Sequence, residues 1–432
     1  MTLLVISPDY ASHLLPLASL ATAWRDSGDE VVVATGEATA SIVSGFGYRR
    51  EHLPLGRGAN AGVIRSADQE AAEAASLEGF FAATRRGMVP TLAYQARERL
   101  TDLMWQPVSR ARATLEVIER VRPDAILVDH LAFSARLALH TRGIPYGDVV
   151  LGHPSALPVR DEVYGYPTAW PAAFSPGDDE LRELRALCED VSARFSSQWN
   201  DAAKELDAAA PPVSDAFALH GETVLFNYPR ELADGDGRTL PRHRFLGWTP
   251  REETAEIDDW NAGGDPFVYV SFGSFLSVRG DVLARVAEAL RREGIRAAIA
   301  TGATSPDELG PLPADWLVAP YLPQVRLLAS AAAVVTHGGN NSITEAVGQA
   351  VPLVVLPFST DQFAGAAAIE RTGAGRALAP DDATVDELAE ALRAVVDPGF
   401  PGRAVLARAS AVESRGPAVA YATLSSPVSE PR

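Results

Sequence analysis

The sequence predicts an α/β protein of two parallel-sheet domains that face each other across a cleft. Three observations carry the prediction. Short apolar runs ending in polar turns alternate with helix-length stretches, the pattern of a parallel sheet with helices on both faces. The alternation occurs twice, before and after an acidic, glycine-bearing segment at 249–266. The 432 residues are also more than one ordinary core accommodates, so two or three domains are expected.

In chain order, residues 3–6 (LLVI) before Ser7, Pro8 and Asp9 read as a buried strand. A helix over 14–25 ends near Ser27 and Gly28, and 31–34 (VVVA) is the next strand. The stretch 56–115, rich in Ala, Arg and Glu, reads as helices and loops. Arg122, Pro123 and Asp124 introduce a strand at 125–129 (AILVD), a helix runs over 132–141 to Gly143, and Ile144-Pro145 opens another strand. Residues 154–180 are rich in Pro and aromatics and form a long loop, of the kind compact domains keep for function. The second series begins with 267–274 (FVYVSFGS) and a helix over 281–292. Strands at 297–301, 317–321 and 331–337, a helix from Ser342 and a strand at 352–357 continue it. Helices from Asp361 to Gly373 and over 385–396 complete the alternation. The resulting division is a domain at 1–248, a linker at 249–266, a domain at 267–405 and a tail at 406–432 that packs back on the first domain. The cleft between the domains is the expected ligand site.

Composition narrows the function. The net charge is −18 and the pI about 4.9, without the cationic footprint that nucleic acid or an anionic membrane surface selects. The only lysine is Lys204, which disfavours Schiff-base chemistry. Cys188 is the only cysteine, so neither an internal disulfide nor a thiolate zinc site is expected. The first twenty residues lack a basic leader, and apolar runs such as 350–358 fall short of the ~18 residues a membrane span needs. A cytoplasmic protein without integral membrane association is expected.

The strongest local signal runs from Tyr321 to Gln362. It contains YLPQ at 321–324, THGGNNS at 336–342, Glu345, Pro357, Asp361 and Gln362. A strand feeds a turn in which Gly338 and Gly339 let backbone amides approach a ligand closely. The following helix N-terminus offers unbonded N–H groups and a positive dipole end, a natural seat for a diphosphate. His337 and Ser342 can add hydrogen bonds there. Glu345 lies three residues beyond Ser342, so it either closes a capping box or grips a ribose diol. Asp361 and Gln362 either cap a helix or bind sugar hydroxyls. The turn at 271–274 (SFGS) follows a strand and could close the other side of a phosphate. In the N-terminal half, His13 follows the first strand and Asp129 ends another, both facing the crevice of an open sheet. A carboxylate there can orient an imidazole and stabilise its protonated form, although His13 also suits a plain helix start. His130 abuts Asp129, but strand alternation turns it to the opposite face.

These residues resemble the donor signature of family-1 glycosyltransferases, the GT-B proteins that include plant secondary-product and bacterial macrolide enzymes. In layout the resemblance covers nearly the whole chain, and the segment 321–362 is its most specific part. It implies a GT-B fold of two facing Rossmann-like domains, the first binding the acceptor and the second the nucleotide sugar. It implies His13 as general base and Asp129 as its partner. Ser274, His337, Asn341 and Ser342, with the turn at Gly338 and Gly339, would hold the diphosphate. Tyr321 and Gln324 would meet the nucleobase, Glu345 the ribose, and Asp361 with Gln362 the sugar. Three positions depart from the pattern: Ser12 stands where a glycine usually precedes the base, Tyr321 where a tryptophan usually stacks, and Asn340 where plant members have tryptophan.

The resemblance further implies inverting transfer of a hexose from a nucleotide diphosphosugar to a hydroxyl of a small lipophilic aglycone, with no metal and no resident cofactor. UDP-glucose leads among donors and a dTDP-sugar follows. The acceptor wall is expected from Phe80, Phe81, Met88, Trp105, His153, Trp170 and Phe174. A nicotinamide oxidoreductase is disfavoured because Ser7 to His13 holds no glycine for a G-x-G-x-x-G turn. A sugar-nucleotide epimerase and a non-catalytic nucleotide-sugar sensor share the architecture. The aromatic N-terminal loops disfavour the first, and the His13–Asp129 pair the second.

Overall fold

Two parallel sheets organise the chain, whose computed structural model describes residues 1–58, 60, 71–249, 253, 259–261, 264–273, 276–411 and 415–425. The N-terminal domain begins with β1 (Thr2–Ile6), α1 (Ala11–Leu20), α2 (Thr22–Asp26), β2 (Glu30–Thr35), α3 (Ala40–Gly45) and β3 (Arg49–His52). Helices α4 (Ala71–Thr84), α5 (Met88–Asp102) and α6 (Pro107–Val121) precede β4 (Ala125–Asp129), α7 (Phe133–Arg142) and β5 (Gly147–Val150). Then come α8 (Asp178–Leu206), β6 (Thr223–Phe226), α9 (Arg230–Ala233) and β7 (His243–Phe245). The C-terminal domain opens with β8 (Val268–Ser271), α10 (Gly280–Arg292), β9 (Ala297–Ala300), β10 (Leu317–Ala319), α11 (Gln324–Leu328) and β11 (Ala333–Thr336). It continues through α12 (Asn340–Gly348), β12 (Leu353–Val355), α13 (Gln362–Thr372), β13 (Gly375–Ala377), α14 (Val385–Val396) and α15 (Arg403–Ala411). A final helix, α16, spans Gly416–Ser425.

The first sheet has the order β3-β2-β1-β4-β5-β6-β7 and the second β10-β9-β8-β11-β12-β13, with every pairing parallel. Strand order therefore reverses between β1 and β4 in one sheet and between β8 and β11 in the other. At such switch points the loops leaving the two strands diverge and open a crevice at their carboxyl ends. His13 follows β1 and Asp129 ends β4, while Gly273 follows β8 and His337 follows β11. Topology alone delivers these four residues to the two crevices.

Packing fixes the sheets from both faces. Leu3 and Val5 pack with Leu14, Trp24 and Ala420, whereas Leu4 and Ile6 pack with Val117 and Leu139. Val335 and Val354 pack with Val286 and Leu290 of α10, and Val334 and Val355 with Ile343 and Ile369. Each such fully buried side chain contributes about 1.5–3 kcal/mol. The second of these C-terminal cores continues into the N-terminal domain through Val150, Phe226 and Leu232, so the domains share a buried flank. Helix α16 lies on the N-terminal domain. The Tyr421 ring meets Trp24 at 5.1 Å and 70°, and its hydroxyl donates to Asp29 at 3.2 Å.

Several elements differ from the sequence expectation. Helix α1 begins at Ala11 rather than 14, and α12 begins at Asn340 rather than Ser342, with Gly339 as N-cap. His13 and Ser342 therefore both stand in first turns. The unexpected α8 buries Leu184, Cys188, Val191, Phe195 and Trp199 as one helical stripe, and its start is held by the Gly177 N–H donating to Glu180 at 2.9 Å. The sequence Arg49–His52 gave no strand signal because it has no apolar residue; as the edge strand β3 it needs none. Among the described residues no helix is long and apolar enough to cross a membrane.

Candidate functional site

A cavity of about 900 Å³ lies between the two crevices, lined by His13 and Asp129 on one side and His337, Gly339 and Asn341 on the other. Nδ1 of His13 stands 2.7 Å from Oδ2 of Asp129. Asp129 is fully buried, and its Oδ1 accepts the Leu131 N–H at 2.8 Å. The carboxylate is thereby held in one orientation and accepts a hydrogen bond from Nδ1–H, which leaves the lone pair of the neutral ring on Nε2. Burial alone lowers the basicity of His13. The charge and hydrogen bond of Asp129, with the charge of Asp361, outweigh it and hold the imidazole above its ordinary value.

Opposite the imidazole is the start of α12. The N–H groups of Asn340, Asn341 and Ser342 have no acceptor within the helix, and the dipole is positive at this end. His337 is wedged between two glycines. A Cβ on Gly273 would come within 2.7 Å of its Cε1, and one on Gly339 closer still to its Nε2. Gly273 and Gly338 also adopt φ of +68° and +85°, conformations that favour glycine. Burial depresses the His337 imidazole to about 4, so it is neutral near pH 7 and can donate one N–H.

The two halves touch at this point. Pro16 lies inside α1 and has no N–H for the Ser12 carbonyl four residues back. That carbonyl instead accepts from Asn341 Nδ2 at 2.9 Å, across the cleft and beside His13. Asn340 likewise donates to the Asn227 carbonyl at 3.0 Å. Neither bond was legible in the sequence, because each joins residues more than a hundred positions apart.

Tyr321 lines the cavity and is 63% exposed. Gln324 and Ser342 also line it, with Gln324 Nε2 donating to Glu345 Oε2 at 2.6 Å and Ser342 Oγ donating to Gln324 Oε1 at 3.4 Å. Glu345 sits behind Gln324 and does not line the cavity; with Gly339 as N-cap, no capping box with Ser342 forms. Asp361 makes no side-chain capping bond. Its Oδ2 accepts the His153 N–H at 2.6 Å and its Oδ1 the Thr360 hydroxyl at 3.0 Å. Burial raises its pKa. Gln362 Oε1 accepts from the Phe358 and Ser359 N–H groups at 3.0 and 3.1 Å. Gly338 shapes the turn without reaching the cavity. Ser274 lies outside the described residues.

The expected acceptor wall requires correction. Of its seven residues only Phe80 lines the cavity. Phe81 and Met88 are buried, Met88 against Leu92 and Leu184. Trp105 carries the Arg110 guanidinium at 4.6 Å. Trp170 and Phe174 pack on the α5–α8 core, Phe174 edge-on to Phe363 at 5.3 Å. His153 turns its ring edge-on to Tyr228 at 5.2 Å, so only its backbone reaches the site. The hydrophobic effect drew these rings into cores and left amphipathic groups on the wall: Tyr94, Gln95, Glu98, Arg99, Tyr164 and Tyr166. The sequence signal for the first four was a polar stripe on α5. Their partners in the long loop could not be read from it. Among the described residues no group of three His, Cys, Asp or Glu is placed to hold a metal ion.

Residues 246–409 match the family model described as UDP-glucoronosyl and UDP-glucosyl transferase. The chain is 25% identical over 408 residues to 4'-demethylrebeccamycin synthase of Lentzea aerocolonigenes, covering 89% of each. It is 26% identical over 396 residues to the elloramycin glycosyltransferase of Streptomyces olivaceus, covering 89% of this chain and 87% of that one. Among solved structures, the spinosyn rhamnosyltransferase superposes with a TM-score of 0.67 at 20% identity, over 99% of this chain and all of the other.

Proposed function

Residues 246–409 belong to the UDP-glucoronosyl and UDP-glucosyl transferase family and the chain is a glycosyltransferase of GT-B fold, from which we propose inverting transfer of a hexose to a natural-product hydroxyl. The observation that carries this reading is the His13–Asp129 pair at 2.7 Å, facing across one cavity the α12 N-terminus and neutral His337.

The acceptor oxygen attacks the anomeric carbon from the His13 side, and the bond from that carbon to the diphosphate oxygen breaks on the α12 side. His13 Nε2 takes the hydroxyl proton as the new bond forms, and Asp129 stabilises the resulting imidazolium. The departing nucleoside diphosphate gains negative charge where the helix amides, Asn341, Ser342 and the His337 N–H converge. A single displacement between opposite faces inverts the configuration. Neither a metal nor a resident cofactor is needed, because the electrophile arrives activated and its leaving group meets fixed dipoles.

The donor is a nucleoside diphosphohexose. Its base would stack on Tyr321 and meet Gln324, with Glu345 acting through Gln324. The YLPQ segment and Asp361-Gln362 place UDP-glucose among the candidates. Both Asp361 oxygens and Gln362 Oε1 already accept from the protein, which favours a sugar with fewer hydroxyls to satisfy, such as a dTDP-deoxyhexose. The spinosyn rhamnosyltransferase has been solved with thymidine diphosphate, in keeping with that choice. A non-catalytic sensor would have no use for a base aligned by a buried carboxylate.

The test is a panel of hydroxylated aromatic and macrolide acceptors with UDP-glucose, dTDP-glucose and a dTDP-deoxyhexose, read by mass spectrometry. A mass gain of one hexosyl or deoxyhexosyl unit, according to the donor, supports the reading. Epimerised donor, or bound donor with no glycoside from any acceptor, contradicts it.

A further inference from the structure

One cation lining the cavity, Arg99, forms no ion pair among the described residues. Arg99 stands on α5 and lines the cavity. Its guanidinium lies over the Tyr164 ring at 4.6 Å from the centroid. Apart from Tyr164 it meets no hydrogen-bond or ion-pair partner among the described residues, and its Nη1 is buried without an acceptor. Gly165 makes that position available: its φ is +90°, and a Cβ there would collide with Nη1.

The neighbouring polar groups are engaged elsewhere. Glu98 Oε2 accepts from Ser76 Oγ at 3.0 Å, and Gln95 Oε1 accepts the Thr360 N–H at 3.1 Å. The Tyr94 hydroxyl donates to the Ser76 carbonyl at 2.8 Å. Buried arginine side chains elsewhere in this chain are paired. Arg279 meets Asp281 at 2.8 Å and Asp381 at 2.7 Å, and Arg238 meets Glu162 at 2.7 Å. Although the chain has 56 Asp and Glu side chains, Arg99 forms an ion pair with none of the described ones while lining the cavity.

A partly desolvated guanidinium without an anion is costly, and its planar fork matches a carboxylate in two-point contact. We propose that Arg99 binds a carboxylate on the acceptor, so that the acceptor class is hydroxylated aromatic acids rather than uncharged lipophiles. This deepens the glycosyltransferase reading and rests on it. The aromatic body of such an acceptor lies along Phe80, Tyr164 and Tyr166, and its carboxylate is held at Arg99 while a hydroxyl is presented to His13.

The test uses the full-length protein and a panel of hydroxylated aromatic carboxylic acids, mycophenolic acid among them, each beside its methyl ester. Binding is measured by calorimetry with thymidine diphosphate present. At least one acid binds about tenfold or more tightly than its ester, as loss of a charge-assisted bond requires. Arg99→Gln abolishes that difference, and Arg99→Lys retains part of it. Equal binding of acid and ester throughout the panel, or discrimination that survives in Arg99→Gln, overturns the proposal. Thymidine and uridine diphosphate are titrated separately. If neither binds, the glycosyltransferase reading itself fails, whatever the acids and esters do.

Discussion

The Ser12 carbonyl and the Asn341 side-chain amide meet at 2.9 Å across the cleft, joining the helix that carries the proposed base to the helix proposed to seat the diphosphate. The bond exists because Pro16 leaves the carbonyl free. It couples the two halves of the cleft through one residue that the proposed mechanism also assigns to the leaving group.

Asn341 is therefore sensitive to charge as well as to size. Asn341→Ala removes one donor, and nucleoside diphosphate affinity falls about tenfold, the worth of one hydrogen bond to a charged group. Asn341→Asp sets a carboxylate against both the Ser12 carbonyl and the phosphate, so affinity falls further than in the alanine variant. Calorimetric titration of thymidine and uridine diphosphate gives the order. An aspartate variant that binds as well as wild type removes Asn341 from the diphosphate seat.

The rate depends on pH through His13. The base works only when neutral, and Asp129 and Asp361 hold its pKa above the ordinary 6.5. Activity therefore rises with pH, and the midpoint of the acid limb of kcat/KM lies above that value. Asp129→Asn leaves burial as the dominant influence, so the limb moves to lower pH while the rate falls. A limb that stays in place in Asp129→Asn would show that another group governs it.

Gly273 is required for two separate reasons. Alanine there is strained at φ +68°, by about 1–2 kcal/mol, and its Cβ meets His337 Cε1 at 2.7 Å. The variant keeps its fold with a lowered Tm and loses nucleoside diphosphate affinity, because the imidazole is pushed from its place. Unchanged affinity in a folded Gly273→Ala protein would place His337 outside the phosphate site.

Asp361 is expected to act on the sugar and not on the nucleotide. Asp361→Ala weakens binding of the sugar donor more than that of the free nucleoside diphosphate, measured side by side by calorimetry. Equal losses would mean that the carboxyl serves chiefly to hold the Gly152–His153 loop through its bond to the His153 N–H.

The sequence carried the parts of the site that are local in the chain. A strand, a glycine turn and a helix start at 333–342 are contiguous, so the turn proposed to seat the diphosphate could be read directly. His13 and Asp129 could be placed at strand ends because parallel strands announce themselves as apolar runs. The acceptor wall was not legible. Met88 and Trp170 look alike in sequence whether they face a ligand or a core, and only the packing of α5 against α8 assigns them to the core. Arg99 was lost for the opposite reason, since an arginine on a polar stripe ordinarily faces solvent. Its meaning depends on Tyr164 and Gly165, which reach it from the long loop.

The most direct measurement compares His13→Ala with wild type in single-turnover glycosylation at saturating donor, alongside donor affinity. The account predicts a rate lower by about 10²–10⁴ with donor affinity unchanged, because the imidazole acts on the acceptor proton alone. Full turnover of a hydroxyl acceptor by the folded variant would contradict it.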